Sequence, residues 1–220
     1  MPEHTDARRA YPPRPYRVSD PGAAVALMRA FPFAHLFTAY NGLRATRLPF
    51  IVDCDAEKPT LLRCHLDARN PQAAGLDGAP VLVNFSGPAA YVSPHWRADK
   101  SKGGTYDYEE VQARGTARTV DDVAFFRQLI DDLSLLIEPQ HAEIGDYPVW
   151  DTSMAPDGHL SRQFPLVTCF TVEIKELTMT AKLHQNFPAA DRRSVAGHLA
   201  RSRREEVRAI AEKIRIQTDG

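Results

Sequence analysis

The sequence predicts a mainly β protein of the α+β class, built as an antiparallel barrel with helices at its margins. About six or seven apolar segments bounded by turn residues follow one another between residues 34 and 180. The segments with helical periodicity lie mostly at the ends of this region and do not alternate with the strands. The chain contains neither a GxGxxG motif after a strand nor a GxxxxGK[ST] motif, so dinucleotide-binding and P-loop folds lack their motifs.

The first half of the chain predicts a helix followed by a hairpin and a third strand. Ser19-Asp20-Pro21 supplies a helix cap and a proline at the first turn, and Pro32 ends the helix. A strand over 34–40 leads into Asn41-Gly42, the strongest short hairpin signal, and a strand over 43–52 returns. A third strand covers 60–66.

The second half predicts shorter strands, then two long strands and two helices. Asn70-Pro71 indicates a short helix ending near Gly75, and Gly87-Pro88 separates strands over 80–86 and 90–93. A lysine- and glycine-rich segment, 94–105, predicts a mobile loop. The remaining predictions are a strand over 106–120, an amphipathic helix over 123–137, an irregular stretch over 138–164, a strand over 166–180 and a C-terminal helix over 189–215.

Composition excludes several classes of function. The 220 residues carry a net charge of −1, so nothing attracts the whole protein to nucleic acid or to an anionic membrane. Three cysteines without CxxC spacing argue against a disulfide framework and a zinc site, and favour a reducing cytoplasm. The amino-terminal residues lack the apolar region of a secretory signal, and no apolar run has the length of a membrane helix.

Four segments in order resemble the PaiB-type family of FMN-binding negative transcriptional regulators. The first two are Ala45–Pro49, similar to a Thr-His-Leu-Pro pattern, and His65–Gln72, similar to a His-x-x-x-x-Asn-Pro signature. The third and most specific is Gly87–Trp96, and the fourth is Lys182–Asn186, similar to Lys-Leu-Ser-Gln-Asn. Their order and spacing agree with the family over residues 16–186.

The chain departs from the family at several positions of the implied pocket. Arg47 replaces a histidine, and Ala68 stands where an arginine is common. Gly104–Tyr108 replaces Pro-Thr-Trp-Asn-Tyr, and Gln112 replaces a following histidine. These departures bear on the cofactor and the activity more than on the fold.

The resemblance implies an FMN-binding split β-barrel that forms a homodimer with cofactor sites at the subunit interface. It divides the chain into a flexible arm over 1–15, a cofactor-binding domain over 16–186 and a helical tail over 187–220 that packs on or near the barrel. It also implies a small-molecule ligand and allows a role as a transcriptional regulator.

An FMN site needs donors for a dianionic phosphate and a flat surface for the isoalloxazine ring. The candidate residues around the phosphate are Arg44, Thr46, Arg47, His65, Arg69 and Asn70. The candidates for the flat surface are Tyr91, Trp96, Tyr106 and Tyr108. The alternative is that the arginines are solvated strand ends and the aromatic residues belong to the core.

A second interpretation makes the cofactor haem b and the protein an enzyme. The resemblance extends to haem-dependent piperazate synthases, which form an N–N bond in an N-hydroxylated amino acid. His65 would then be the axial iron ligand and the only metal ligand, with Arg44 or Arg69 holding propionates. The alternative for His65 is a structural hydrogen bond before the Asn-Pro turn.

The only local basic cluster lies near the carboxyl terminus. It comprises Arg192-Arg193 and the run Arg201–Arg204, which a regulator would use on DNA phosphates. Glu205, Glu206 and Glu212 dilute this charge, which favours the solvated face of a terminal helix. The sequence assigns neither a catalytic residue nor a substrate.

Overall fold

The computed structural model describes residues 12–56, 58–145 and 147–219, so most of the predicted arm lies outside the described residues. The elements of the described part are β1 Arg17–Val18, α1 Pro21–Ala30, β2 Phe33–Thr38, β3 Arg44–Pro49, β4 Ile51–Asp55, β5 Lys58–Asp67, β6 Pro80–Val92, β7 Thr105–Val120, α2 Val123–Ile137, α3 His159–Gln163, β8 Val167–Lys182, α4 Ala189–Leu199 and α5 Glu205–Asp219. Short 3₁₀ turns occur between them.

The strands form one eight-stranded sheet. Seven strands follow the order β3-β2-β6-β7-β8-β5-β4, and β1 pairs with β8. The pairs β2–β3, β2–β6, β4–β5, β5–β8 and β1–β8 are all antiparallel. The predicted α+β class with an antiparallel sheet and flanking helices is therefore confirmed.

The predicted hairpin at Asn41-Gly42 is confirmed. Asn41 has a φ of 49° and Gly42 a φ of 100°, so both take left-handed turn conformations, but the strands stop pairing at Thr38 and Arg44, and the connection spans 39–43 in place of the two-residue turn predicted. The turn brings Thr38 opposite Arg44 and Leu36 opposite Thr46. Because alternate residues of a strand share a face, this register places Arg44 and Thr46 on the same side of β3.

The single strand predicted over 43–52 is wrong, because the chain leaves one strand partner for another at Phe50. β3 pairs with β2, whereas β4 pairs with β5. Between them, the Phe50 amide donates to the Pro32 carbonyl at 2.9 Å, and the Phe50 ring is fully buried. The chain turns at Phe50 because this ring is buried, whereas the apolar run alone predicted one continuous strand.

The break predicted at Gly87-Pro88 is also wrong, since β6 runs through both residues. The alternation of buried and exposed side chains shifts by one residue at Gly87, and Pro88 then points inward. A proline is tolerated in a strand where its missing N–H is not needed by a neighbour. The turn signal therefore marks an irregularity within the strand and not its end.

The single C-terminal helix predicted over 189–215 divides into α4 and α5. The Ser202 hydroxyl accepts a hydrogen bond from the Arg204 amide at 3.1 Å just before α5. The division lets Leu199 of α4 and Ile210 and Ile214 of α5 share one apolar cluster. None of the described helices combines the length and apolar character needed to cross a membrane.

The chain forms two compact units. Among the described residues, the first comprises 12–20, 86–111 and 178–219, and its core joins Ala90, Val92 and Leu183 to α4 and α5. The second comprises 21–85 and 112–177. Its core includes the rings of Phe50, Phe85 and Phe170, with Phe50 edge-on to the other two at 5.9 and 6.2 Å between centroids.

At Gly115 of β7, the backbone lies so close to the backbone of β8 that there is no space for a side chain. A Cβ at this position would lie 2.0 Å from the Glu173 carbonyl oxygen of β8. We expect Gly115→Ala to lower the free energy of unfolding by about 1–3 kcal/mol, because the strands must separate. Urea denaturation measures this change.

Gly103→Ala is the matched control, because no described atom lies within 4 Å of a Cβ placed there. Its free energy of unfolding should stay within about 0.5 kcal/mol of the wild type. Equal denaturation midpoints for Gly115→Ala and Gly103→Ala would contradict the close approach.

Candidate functional site

A polar groove of about 740 Å³ lies in the second unit, between the start of β3 and the segment that follows β5. Its lining residues are Leu43, Arg44, Ala45, Thr46, Asp67, Arg69, Asn70, Pro71 and Gln72. The groove brings together four of the predicted cofactor-binding residues, namely Arg44, Thr46, Arg69 and Asn70. We treat it as the candidate site.

Two consecutive side-chain-capped turns shape the floor of the groove after β5. The Asp67 carboxylate accepts a hydrogen bond from the Arg69 amide at 2.8 Å, and the Asn70 side-chain oxygen accepts from the Gln72 amide at 3.0 Å. Asp and Asn favour such turns because their side chains reach the backbone two residues ahead. The short helix predicted from Asn70 is reduced to a 3₁₀ turn at Ala73–Gly75.

Gln72 connects this turn to the sheet. Its side chain is buried, and its amide nitrogen donates to the Leu36 carbonyl at 3.3 Å and to the Thr38 hydroxyl at 3.0 Å. Its side-chain oxygen accepts from the Thr46 hydroxyl. The Thr46 oxygen accepts in turn from the Asn70 side-chain amide at 2.9 Å.

Asn70, Thr46 and Gln72 therefore form a closed ring of hydrogen bonds, which we call the groove ring. The side chain of Asn70 donates to Thr46, Thr46 donates to Gln72, and the Gln72 backbone donates back to Asn70. Buried polar groups are retained when each finds a partner. The ring therefore holds β3 and the turn after β5 in one arrangement.

Packing of the Tyr40 aromatic ring strengthens the same connection. A Cβ on Gly75 would lie 2.1 Å from the Tyr40 ring, so only glycine lets Tyr40 pack there. Tyr40 directly precedes the Asn41-Gly42 turn, and Gly75 ends the 3₁₀ turn. The hairpin and the segment after β5 are thus joined on both sides of the groove ring.

Arg69 and Asp67 form an exposed bidentate ion pair at the edge of the groove. The guanidinium nitrogens of Arg69 lie 3.0 and 2.6 Å from the two carboxylate oxygens. Hydrogen bonds from the Arg69 side chain, and then from its backbone, lower the pKa of Asp67 to about 2. The carboxylate is therefore ionised throughout the physiological range.

The lining of the groove carries more positive than negative charge. Arg44 and Arg69 supply two guanidinium groups against the single carboxylate of Asp67. Asn70 adds a neutral donor. A groove with these donors suits an anion with several acceptor oxygens, such as a phosphate group.

Arg47 and His65 belong to the same unit but are not among the described residues that line the groove. Arg47 donates to the Phe33 carbonyl at 3.1 Å, and its guanidinium lies 4.7 Å from the centre of the Phe33 ring. His65 packs edge-on against Phe126 of α2, with 5.8 Å between ring centroids. Burial lowers the pKa of His65, which favours the neutral imidazole.

The aromatic candidates belong to the first unit. The rings of Tyr91 and Tyr106 pack edge-on at 5.7 Å and are both substantially exposed. The Trp96 ring stacks on His198 of α4 at 5.3 Å, beside the apolar cluster of that unit. Tyr108 lies on the same face of β7 as Tyr106, two residues away. Tyr91 and Tyr106 are therefore the exposed flat surfaces in this set.

Two departures from the family pattern are partners of each other in the first unit. Asp107 stands in the altered Gly104–Tyr108 stretch, and His184 stands where the related pattern has serine. The His184 Nδ1 lies 2.7 Å from an Asp107 carboxylate oxygen, and neither side chain is exposed. His184 also stacks on Phe187 at 4.2 Å. The two departures therefore form a buried polar contact with each other.

The remaining titratable clusters do not form a second candidate site. The described ranges contain no group of three or more His, Cys, Asp or Glu side chains arranged to hold a metal ion. Burial raises the pKa of the Cys169 thiol to about 11 and also raises the pKa of the Cys64 thiol, so neither is a thiolate at neutral pH.

Sequence reasoning missed Asp67 and Gln72 as parts of the groove. Asp67 pairs with an arginine two residues away, a local signal that was available. Gln72 contacts Thr46 across 26 residues and Leu36 across 36 residues. A periodicity or a short motif does not contain such a contact.

The antiparallel sheet with flanking helices places the chain in the α+β class of β-rich proteins. Within that class, residues 10–176 match the family described as "Putative FMN-binding domain", and the chain belongs to this family. The resemblance to PaiB-type proteins is thereby confirmed.

Individual relatives agree with this assignment. The chain is 24% identical over 149 residues to the "Protease synthase and sporulation protein PAI 2" of Bacillus subtilis, covering 67% of this chain and 69% of that protein. The FAD- and haem-binding protein from Mycobacterium smegmatis is 14% identical, with a TM-score of 0.56 over 76% of this chain and 73% of that chain.

The flavocytochrome Anf3 from Azotobacter vinelandii is 15% identical, with a TM-score of 0.54 over 74% of this chain and 67% of that chain. At these identities the two structures show a shared fold, and they confirm the split-barrel prediction.

The Asp67–Arg69 pair makes a prediction that needs no ligand. The pair stabilises the fold above about pH 4, the ordinary carboxyl pKa, and its contribution is lost as the pH falls through 2. At pH 3 the Asp67 carboxylate should remain mainly ionised, as measured by the ¹³C shift of its carboxyl carbon. Arg69→Gln should return the pKa toward about 3.9.

Arg44→Gln is the matched control, since Arg44 lines the same groove and the Asp67 hydrogen bonds come from Arg69. It should leave the Asp67 titration nearly unchanged. A wild-type carboxyl that titrates near pH 4 would show that the ion pair does not form in solution.

Proposed function

We propose that the protein binds FMN and that the groove holds its phosphate group. The observation that carries the proposal is the convergence of Arg44, Arg69 and Asn70 donors on one groove of about 740 Å³. Membership in a family described as FMN-binding supports the choice of this ligand over other phosphate esters.

The residues of the groove fit a phosphate dianion. Arg44 is exposed, and Arg69 keeps guanidinium hydrogens beyond the two bonds that it gives to Asp67. The net charge of the lining favours an anion, and the wide opening admits an ester whose remainder extends away from the groove. When bound, the flavin ring supplies redox chemistry, and the chain supplies binding and orientation.

Thr46 supports the site in a different way from that expected. A hydroxyl has one proton, and Thr46 gives that proton to Gln72. Thr46 is therefore an acceptor for Asn70 and not a donor for phosphate. We assign direct phosphate contacts to Arg44, Arg69 and Asn70, and a positioning role to Thr46.

The proposal predicts that the phosphate group contributes strongly to flavin affinity. Wild-type protein should bind FMN at least about tenfold more tightly than riboflavin, because riboflavin lacks the group that the arginines hold. Arg44→Gln should weaken FMN binding by about tenfold and leave riboflavin binding unchanged. Titration monitored by flavin fluorescence gives both constants.

Arg47→Gln is the control, because Arg47 contacts Phe33 away from the groove lining. It should bind FMN like the wild type. Equal affinities for FMN and riboflavin in the wild type would sink the proposed phosphate site, even if flavin still binds.

Haem is a second candidate cofactor, which the neutral, partly buried His65 favours. Two structures of similar fold belong to a haem-binding protein and a flavocytochrome. A histidine that binds a metal through one ring nitrogen commonly donates a hydrogen bond from the other nitrogen. The Nδ1 of His65 is buried and has no such partner among the described residues. A Soret band that persists in His65→Ala would exclude His65 as the ligand; its loss would support haem on β5 and the enzyme interpretation.

A regulatory role on DNA receives less support from the described residues. The predicted basic run lies in the connection between α4 and α5, where Arg204 pairs with Glu206 at 2.5 Å. Arg208 donates to the carbonyls of Ser202 and Arg203. These contacts occupy part of the charge that phosphate binding would use, so flavin binding remains the main proposal.

We also propose that the protein is a homodimer that buries the β2–β3 hairpin. Leu43 is 91% exposed beside the hairpin turn, and Phe37 and Tyr40 are partly exposed nearby. An apolar hollow of about 520 Å³, lined in part by Phe37, Leu43 and Leu82, lies on the same side of the unit. Exposed apolar groups concentrated in this way are typical of interaction surfaces.

Leu43→Lys should shift the protein from dimer to monomer in light scattering coupled to size-exclusion chromatography. Because Leu43 contributes little to the core of one chain, the variant should still unfold cooperatively, with a midpoint lowered only by the stabilisation that association gives the wild type. Leu135→Lys on α2 is the matched control, since Leu135 is 66% exposed away from the hairpin. A dimer that survives Leu43→Lys would place the interface elsewhere.

A further inference from the structure

Two backbone groups, the Leu36 carbonyl and the Gln72 N–H, determine the direction of the hydrogen bonds in the groove ring. The Leu36 carbonyl only accepts, so the Gln72 nitrogen must face it and the Gln72 oxygen must face Thr46. An oxygen there forces Thr46 to donate. The backbone N–H of Gln72 likewise forces the Asn70 oxygen toward itself and the Asn70 nitrogen toward Thr46.

Every side-chain N–H or O–H proton of the ring therefore has an acceptor within the protein, except at one group. Thr46 has used its only proton, and both Gln72 side-chain protons go to Leu36 and Thr38. The Asn70 amide carries two protons, of which Thr46 takes one. Asn70 lines the groove, so its second N–H is the neutral donor that the ring leaves for a ligand.

We infer that Gln72 is a positioning residue that makes Asn70 the specificity-determining donor of the groove, selecting a fully ionised phosphate ester. The inference rests on the proposed function and names the form of the ligand. Arg44, Arg69 and Asn70 all donate, so a group that only accepts satisfies them. A hydroxyl or amide of a neutral ligand also carries a proton to donate, and the one carboxylate of the lining, Asp67, is already paired with Arg69.

Side-chain amide NMR of the ¹⁵N-labelled protein tests the inference directly, with inorganic phosphate as the probe. Thr46 already accepts from the Asn70 amide, so one of the two protons should be displaced from its shift in a free asparagine side chain before phosphate is added. Phosphate should then move the second proton further than the first and leave both Gln72 amide protons in place. Equal movement of both Asn70 protons, or movement of the Gln72 protons alone, would overturn the inference.

Two variants of Thr46 separate a positioning role from a direct contact. Thr46→Ser keeps the hydroxyl and should keep the wild-type phosphate affinity and Asn70 shifts. Thr46→Val removes the acceptor that orients Asn70, so phosphate affinity should fall about tenfold and the bonded Asn70 proton should return toward its shift in a free asparagine side chain. Unchanged Asn70 shifts in Thr46→Val would show that the ring does not orient the amide.

Gln72→Met tests the positioning residue itself, since methionine fills a similar volume without polar atoms. Phosphate affinity should fall about tenfold although methionine fills the same place behind Asn70, because Thr46 loses the oxygen that takes its proton and is no longer fixed as the acceptor for Asn70. Gln72 is buried, so this variant is compared with the wild type only after its unfolding midpoint is measured. If it does not fold, Thr46→Val decides the question, because Thr46 is only partly buried.

The two proposals fail in different ways. If the groove binds phosphate as inferred but FMN and riboflavin bind equally, the FMN proposal fails and the Asn70 assignment stands. If FMN binds through its phosphate but the Asn70 protons do not respond, the arginines hold the phosphate and the ring assignment fails.

Discussion

The buried side-chain amide of Gln72 is the interaction on which the candidate site depends. Its nitrogen donates to β2 on one side and its oxygen accepts from β3 on the other, so the amide has no unpaired donor or acceptor. An unmade hydrogen bond in such a position costs far more than a made one contributes. The turn after β5 therefore has little freedom to adopt another arrangement beside β3.

The groove combines a buried neutral part with an exposed charged part. Asn70 and Thr46 are held by the ring, whereas the Arg69 side chain is 91% exposed and pairs, among the described residues, with the neighbouring Asp67. Exposed ion pairs contribute little to stability and are screened by salt. The ring therefore decides which atoms a ligand presents, while the arginines decide how readily an anion arrives.

Local signals predicted the elements, and long-range packing decided where they join. Asn41-Gly42 and the periodicity of α2 are properties of adjacent residues, and both were predicted from the sequence. The turn at Phe50 and the passage of β6 through Pro88 depend on burial against distant strands. Such contacts override the local preference of a segment, and the sequence of that segment does not reveal them.

The same distinction applies to the candidate site. Arg44 and Thr46 could be placed on one face because strand alternation is regular. Arg69 and Asn70 followed from a resemblance and a turn signal. Gln72 could not be predicted, because its partners lie 26 to 36 residues away. The groove emerges only when the hairpin and the turn after β5 are seen together.

The contact at Gly115 limits how this sheet can evolve. The Glu173 carbonyl occupies the space that any side chain at position 115 would need, so any substitution there gives a less stable protein. The segment after β5 is constrained in a different way, through the buried hydrogen bonds of Gln72. We therefore expect lineages of this chain to keep glycine at position 115, while exposed positions away from both constraints collect the inherited changes.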